Sequence, residues 1–543
     1  MNGSVHENSG SSGGQMRIRL LVITHVLIVV LSVGNAFAQS FRLNEATVDD
    51  VHAALTSGQT TCRAIVQGYL NRIEAYDQRG PTLNAVKFVN PEALMLADDL
   101  DAVFETSGLV GSLHCIPVLL KDQVEASGMP TTYGSALFEG FVSTRDATIV
   151  ERLKKAGAII LAKTNMGEFA SRYVGSAFGL IRNPYDPMRN PSGSSGGTGV
   201  GVASNFGMVG IGEDTGGSIR GPAAVSSLVG LRPTVPLVSR FGMMPANPTT
   251  DTLGPITRTV KDAAVLLDVL VGYDPNDPIT AHSVGHIPGS YVAGLDLEDL
   301  GGFRIGVIRQ PMDPKTNPDA DDYQQVRTVI DGALANLESL GAELVDPATI
   351  DELEEVDAAY LRNNFETEEA TNTYLAAFPN APVKTLRDIL LSGVVTPWRA
   401  KGLMDLVGRS TDEYGYLQVL HDKERFRRNV LMTMATHKLD ALVYATFDHV
   451  PSLIADDALT NSETDDAYGL GNNRYLSPVI GFPAVTVPAG FTTSAMPVGI
   501  EFLGRPFTEA LLLRLAHAFE QATHFRRPPR STPSVDGQPS SLR

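Results

Sequence analysis

The chain has 543 residues, 43% of them hydrophobic and 19% charged, and its 61 acidic against 43 basic side chains give a formal net charge of −18. That length and apolar share support a large core and, on length alone, two or three domains. A surface this acidic repels phosphate backbones and anionic membranes, which argues against nucleic acid as a partner.

Residues 1–38 stand apart from the fold. Met16-Arg-Ile-Arg19 is a positive start, Leu20 to Val33 is an apolar run, and Ala36-Phe-Ala38 is a small-x-small cleavage site before Gln39. This pattern is that of a secretory signal peptide, with export to the periplasm or the medium. The apolar run is shorter than the roughly 20 residues that span a bilayer, so no stable membrane association is expected after cleavage. Residues 1–15, polar and rich in Gly and Ser, precede a natural start near Met16.

Two cysteines, Cys62 and Cys115, are too few for a disulfide framework or a structural zinc site. Export would permit a bridge between them, but a buried unpaired role is the expectation. Thr61 precedes a helical pattern in which Ile65, Val66, Tyr69, Leu70, Ile73 and Tyr76 recur at three- and four-residue steps. A strand at Ala85 to Val89, a helix from Pro91 to about Phe104 and a buried strand at Ile116 to Leu120 follow. Lys121 therefore sits where an apolar strand ends, usually the place of a solvated side chain. Ala147 to Ala156 reads as a helix and Ala158 to Ala162 as another buried strand.

The stretch from Asn183 to Pro233 organises the rest. Its core is Pro191-Ser-Gly-Ser-Ser-Gly-Gly-Thr-Gly-Val-Gly-Val-Ala203 and Ile211-Gly-Glu-Asp-Thr-Gly-Gly-Ser-Ile-Arg-Gly-Pro222. Gly/Ser composition also describes a linker. Here, however, the flanks are those of a closely packed helix (Gly199 to Ser204) and a buried strand (Met208 to Gly212). Glycine between buried elements means that backbone approaches something closely, which favours a site. Consecutive amides of Thr215, Gly216, Gly217 and Ser218 make a concave donor array suited to an oxyanion. A serine at its end is inert without a base.

The blocks Ser192-Gly-Ser-Ser-Gly-Gly-Thr198 and Glu213-Asp-Thr-Gly-Gly-Ser-Ile-Arg220, with Ile116-Pro-Val-Leu-Leu-Lys-Asp122 upstream, resemble the amidase signature family. The resemblance spans about Val48 to Pro529 and is densest between Cys115 and Leu270. It implies an α/β/α amidase-signature fold with a central mixed, mostly parallel sheet. It also implies an amidase that releases ammonia or an amine through a Ser-cisSer-Lys triad. Carried over motif by motif, the lysine is Lys121, the serine held through a cis peptide bond is Ser194 and the nucleophile is Ser218. No cofactor or metal is implied. Three positions depart from the family's pattern: Ser192, Thr198 and Glu213, the last in place of a common threonine. None is a triad position, so they are expected to affect substrate detail rather than the reaction.

Downstream, Val260 to Leu270 is a helix, Phe303 to Ile308 a strand, Asp321 to Leu340 a long helix and Ala342 to Val345 a strand. Residues 351–437 read as a variable, charged helical insert without a family motif. Ala441 to Tyr444, Ala484 to Val487 and Val498 to Phe502 return to the sheet, and Leu511 to Gln521 is the last helix. Family segments at both ends flank the same sheet, so 39–530 is expected to be one amidase domain and 531–543 a disordered tail.

Other readings compete with this one. Gly193-Ser-Ser-Gly-Gly197 fits the nucleophile elbow of an α/β-hydrolase-like esterase, with Ser195 attacking. That elbow needs a strand before it, and Asn183 to Pro191 holds three prolines. A catalytically silent binding protein and a glutaminase-type amidotransferase subunit complete the set. The expected partner is a small-molecule or peptide amide, while acyl group, amine and oligomeric state have no readable code. Burial at a strand end should disfavour the charged form of Lys121, giving activity that rises with pH. Asp122 points to the opposite face and should not cancel that effect.

Overall fold

Three short apolar runs, Pro117–Lys121, Ile159–Thr164 and Val209–Asp214, are buried along their whole length, as strands covered by helices on both faces must be. The computed structural model describes residues 41–297, 299–463 and 468–535, together with positions 1, 8 and 10. The expected signal segment and most of the expected tail lie outside the described residues. From Arg42 onwards the chain forms one compact unit.

In chain order the strands are β1 (Val86–Val89), β2 (Pro117–Lys121), β3 (Ile159–Thr164), β4 (Val174–Gly175), β5 (Gly179–Leu180), β6 (Val209–Asp214) and β7 (Val229–Arg232). They continue as β8 (Thr252–Thr257), β9 (Arg304–Val307), β10 (Glu343–Val345), β11 (Ala441–Ala445), β12 (Ala484–Phe491) and β13 (Pro497–Leu503). β4 and β5, two residues each, pair as a small hairpin, and the others form one eleven-stranded sheet in the order β1-β3-β2-β6-β8-β7-β12-β13-β11-β9-β10. The architecture is α/β on a mixed sheet, as expected. Parallel pairing runs through β3-β2-β6 and again through β11-β9-β10. The strands between them pair antiparallel.

Helix Cys62–Tyr76 starts where the pattern placed it, with the Thr61 hydroxyl accepting from the Ala64 amide at 3.1 Å. A preceding helix, Val48–Thr56, escaped sequence reasoning although Thr47 and Asp50 cap it reciprocally. β7 and β8 were missed too. Gly254 and Pro255 argue against a strand in β8, but its pairing with β7 stops at Gly230↔Ile256. Pro255 therefore lies where a missing N–H breaks no ladder on that side.

One expectation is overturned. Cys62 and Cys115 are not unpaired; they form a disulfide with a Cα–Cα distance of 5.2 Å. The helix that begins at Cys62 packs beside the turn that leads into β2, which brings the two sulfurs together. The bridge closes a loop of sequence separation 53. Among the described residues no helix is long and apolar enough to cross a membrane.

Candidate active site

β2 and β6 are parallel neighbours, with Leu119 opposite Gly210 and Leu120 opposite Ile211. Their carboxyl ends therefore emerge side by side, the place where open α/β sheets build sites. Lys121 ends β2, and Glu213 and Asp214 end β6. Helix Gly196–Ala203 packs over both strands, and its small residues permit the close approach. A Cβ on Gly197 would run into the carbonyl oxygens of Asn165 and Ala85.

The peptide bond Gly193–Ser194 is cis. The Ser194 hydroxyl lies 2.7 Å from Lys121 Nζ, and its carbonyl accepts from the Gly167 amide at 3.1 Å. Gly167 thus borders the site. Lys121 is fully buried and Ser194 1% exposed, whereas Ser218 is 8% exposed, so the expected nucleophile is the member a substrate can reach.

Lys121 Nζ has two further partners, both from Glu213: the carboxylate Oε2 at 2.8 Å and the backbone carbonyl at 3.2 Å. Burial pushes Lys121 below the ordinary lysine range, and the Glu213 charge pulls it part of the way back. Glu213 is the residue sequence reasoning undervalued. Its departure from the family's threonine, inside the nucleophile's own motif, was the available signal. Asp122 behaves as expected: it accepts from the Thr132 amide at 2.9 Å and faces Lys163 at 3.7 Å, away from Lys121.

Asp214 shapes the turn that follows. It accepts from the Gly217 amide at 2.7 Å and the Ile219 amide at 3.0 Å. Burial alone would raise its carboxyl, but Arg220 and Arg232 beside it, with those two amides, hold it well below the usual range. The Gly217 N–H is committed to Asp214, which leaves Thr215, Gly216 and Ser218, whose amides donate to no acceptor among the described residues. Gly217 has φ of 103° and lies against Arg474, so a side chain there would be strained and obstructed.

Ser195 does not fit the esterase reading. It is fully buried, donates to the Glu213 carbonyl at 3.0 Å and accepts from the Glu213 amide at 3.2 Å. His114 is remote from the site: it precedes β2 at the end opposite Lys121, and that strand alone spans about 13 Å.

The helical segment 351–437, expected as an insert, closes the site from the other side. Its Tyr360 stacks on Tyr475 with ring centroids 3.9 Å apart, and its hydroxyl lies over Gly216. Tyr374 donates to Glu125 at 2.8 Å, and Arg399 reaches the Phe169 carbonyl at 2.6 Å. A cleft of about 640 Å³ runs between the insert and the 240–251 segment; its wall includes Arg240, Phe241, Asp251, Glu366 and Tyr374.

The Amidase family model matches residues 64–513. The chain belongs to the amidase signature family. It is 33% identical to a probable amidase of Arabidopsis thaliana over 94% of this chain and 97% of that one. It is also 33% identical to a glutamyl-tRNA(Gln) amidotransferase subunit of Ralstonia nicotianae, over 90% of this chain and 100% of that one. The native peptide amidase of Stenotrophomonas maltophilia superposes with a TM-score of 0.80 at 34% identity, covering 90% of this chain and 99% of that one. This member of the family is an amide hydrolase.

Proposed function

We propose that the chain hydrolyses its amide through an acyl-enzyme on Ser218. Neutral Lys121 takes a proton from Ser194, and Ser194 takes one from Ser218, whose oxygen attacks the carbonyl carbon. The amides of Thr215, Gly216 and Ser218 hold the resulting oxyanion. Ser194 returns a proton to the amine nitrogen as the C–N bond breaks, and water then repeats the sequence to free the acid. Side chains carry every proton, so no step calls for a metal. The observation that carries this reading is the 2.7 Å contact between Lys121 Nζ and Ser194 Oγ at a dry pair of strand ends.

Two features support a free-standing exported hydrolase over an amidotransferase subunit. One is the signal-like segment before Gln39. The other is the Cys62–Cys115 bridge, since disulfides persist in oxidising compartments. The substrate is a small-molecule or peptide amide, a class supported by the likeness to the peptide amidase.

A serine-directed covalent reagent followed by intact-mass and peptide mapping tests the mechanism. One adduct is expected, on Ser218, and none in Ser218→Ala; an adduct on Ser195 instead would overturn the assignment. N-terminal sequencing of secreted material should begin at Gln39, and protein confined to the cytosol would reject export.

A further inference from the structure

The ammonium of Lys121 has three N–H groups and finds three acceptors: Ser194 Oγ, Glu213 Oε2 and the Glu213 carbonyl, at 2.7, 2.8 and 3.2 Å. A neutral amine has two N–H groups and one lone pair. Both acceptors on Glu213 can only receive protons, whereas Ser194 can also give one. With the two remaining N–H groups on Glu213, the lone pair is left facing the serine. The carboxylate is itself fixed, because the Thr215 hydroxyl donates to Oε1 at 2.6 Å and its side chain is fully buried.

We propose that Glu213 is a positioning residue for the base: it turns the Lys121 lone pair onto Ser194 and, through its charge, sets the pH above which the triad works. This rests on the triad reading given under the proposed function.

The charged groups facing Lys121 come from two elements. Glu213 and Asp214 belong to β6, and Asp251 immediately precedes β8. Asp214 is matched by Arg220 at 3.3 Å and Arg232 at 3.0 Å, so its field at the lysine is largely cancelled. Asp251 is buried, accepts from the Ala246 and Asn247 amides, and is pushed up to about 7 by burial and by the Glu213 charge. Of the three carboxylates only Glu213 has an oxygen within hydrogen-bond distance of the amine, so it is the dominant anion there. An opposite charge in contact raises a lysine, so Glu213 holds the proton on and moves the onset of activity to higher pH.

The test is the pH profile of kcat/KM for wild type, Glu213→Gln, Glu213→Ala, Asp251→Asn and Lys121→Ala on one amide. Glu213→Gln keeps the shape and an acceptor oxygen but loses the charge. Its rising limb should move down by about one pH unit or more, with the plateau largely kept. Glu213→Ala should also lose the orientation, so its plateau should fall at least tenfold; Glu213→Thr, the family's commoner residue, serves if the alanine variant does not fold. Asp251→Asn should move the limb less than Glu213→Gln. An unmoved or upward limb in Glu213→Gln, or a larger shift in Asp251→Asn, would overturn the proposal. Lys121→Ala separates the two levels. If it stays active the triad reading fails, whereas a dead Lys121→Ala with an unmoved Glu213→Gln removes only the role of Glu213.

Discussion

The ends of β2 and β6 and the insert at 351–437 form two sides of one site, yet they are built on opposite terms. At the strand ends nearly every residue is small or bonded to backbone: Ser195 to Glu213, Asp214 to Gly217 and Ile219, Arg474 to the Gly217 carbonyl at 2.9 Å. In the insert, helices such as Thr367–Ala376 and Pro397–Met404 dock through a cluster in which Tyr374, Leu375, Phe378, Leu386 and Leu403 meet Tyr133, Phe138, Phe141 and Phe169. Close backbone packing dictates residue identity position by position. Apolar docking asks only for volume and pattern, and many sequences satisfy it.

That contrast predicts where substitutions should cost rate and where they should cost stability. The largest effect is expected at Lys121. Lys121→Ala should lower kcat/KM by about a thousandfold or more, since a positioned base contributes roughly 10² to 10⁴. His114→Ala should leave the pH limb in place. A near-normal Lys121 variant beside a dead His114 variant would break the distinction and point to a histidine base.

Next comes the bridge, which ties the sheet's motif-bearing half to the preceding helix. Replacing Cys62 and Cys115 by serine should cost about 2–4 kcal/mol, because the reduced unfolded chain regains the freedom of the closed loop. Denaturant midpoints with and without reductant measure this in wild type. Equal midpoints would show that the bridge is not formed in solution.

A smaller loss of stability is expected where the insert meets the core. Tyr374 donates to Glu125 at 2.8 Å and accepts from the Tyr133 hydroxyl at 2.7 Å, all of it buried. Tyr374→Phe leaves Glu125 with Arg145 at 2.7 Å and deprives Tyr133 of its acceptor. A loss of about 1–3 kcal/mol follows from stranding a buried polar group. No change in denaturant midpoint would mean that water replaces the hydroxyl.

The same contrast explains what the sequence made legible. Lys121, Ser194 and Ser218 are named by the resemblance, whose motifs are distinctive because the backbone around them tolerates few residues, and the structure sets Ser194 Oγ 2.7 Å from Lys121 Nζ. Glu213 was seen, but its reach was not. That residue lies one strand over from Lys121, and pairing of β2 with β6 cannot be read from either strand alone. The Gly217 N–H goes to Asp214, a side chain of the same motif, and a motif read as a string does not show that bond. The disulfide depended on how a helix packs beside a turn, and Tyr360 arrives from a region with no motif at all.

Tyr360 offers the finest test, because it belongs to the insert by sequence and to the catalytic end by position. Its ring is held by the stack on Tyr475, so the hydroxyl is presented over Gly216 rather than free to swing. Burial, with the negative charges of Asp214, Asp251 and Glu213 nearby, keeps it well above the ordinary tyrosine range, so it remains a neutral donor at any working pH. Among the described residues it donates to no protein acceptor, so Tyr360→Phe strands nothing and keeps the stack. Stability should therefore stay within about 0.5 kcal/mol of wild type. If the hydroxyl steadies the substrate beside the Gly216 amide, one neutral hydrogen bond is lost, about 0.5–1.5 kcal/mol, or roughly a two- to tenfold fall in kcat/KM. A fall confined to KM would place the contact on the bound amide, and an equal fall in kcat and kcat/KM would place it on the oxyanion. Unchanged kinetics with unchanged stability would return Tyr360 to the insert, as packing alone.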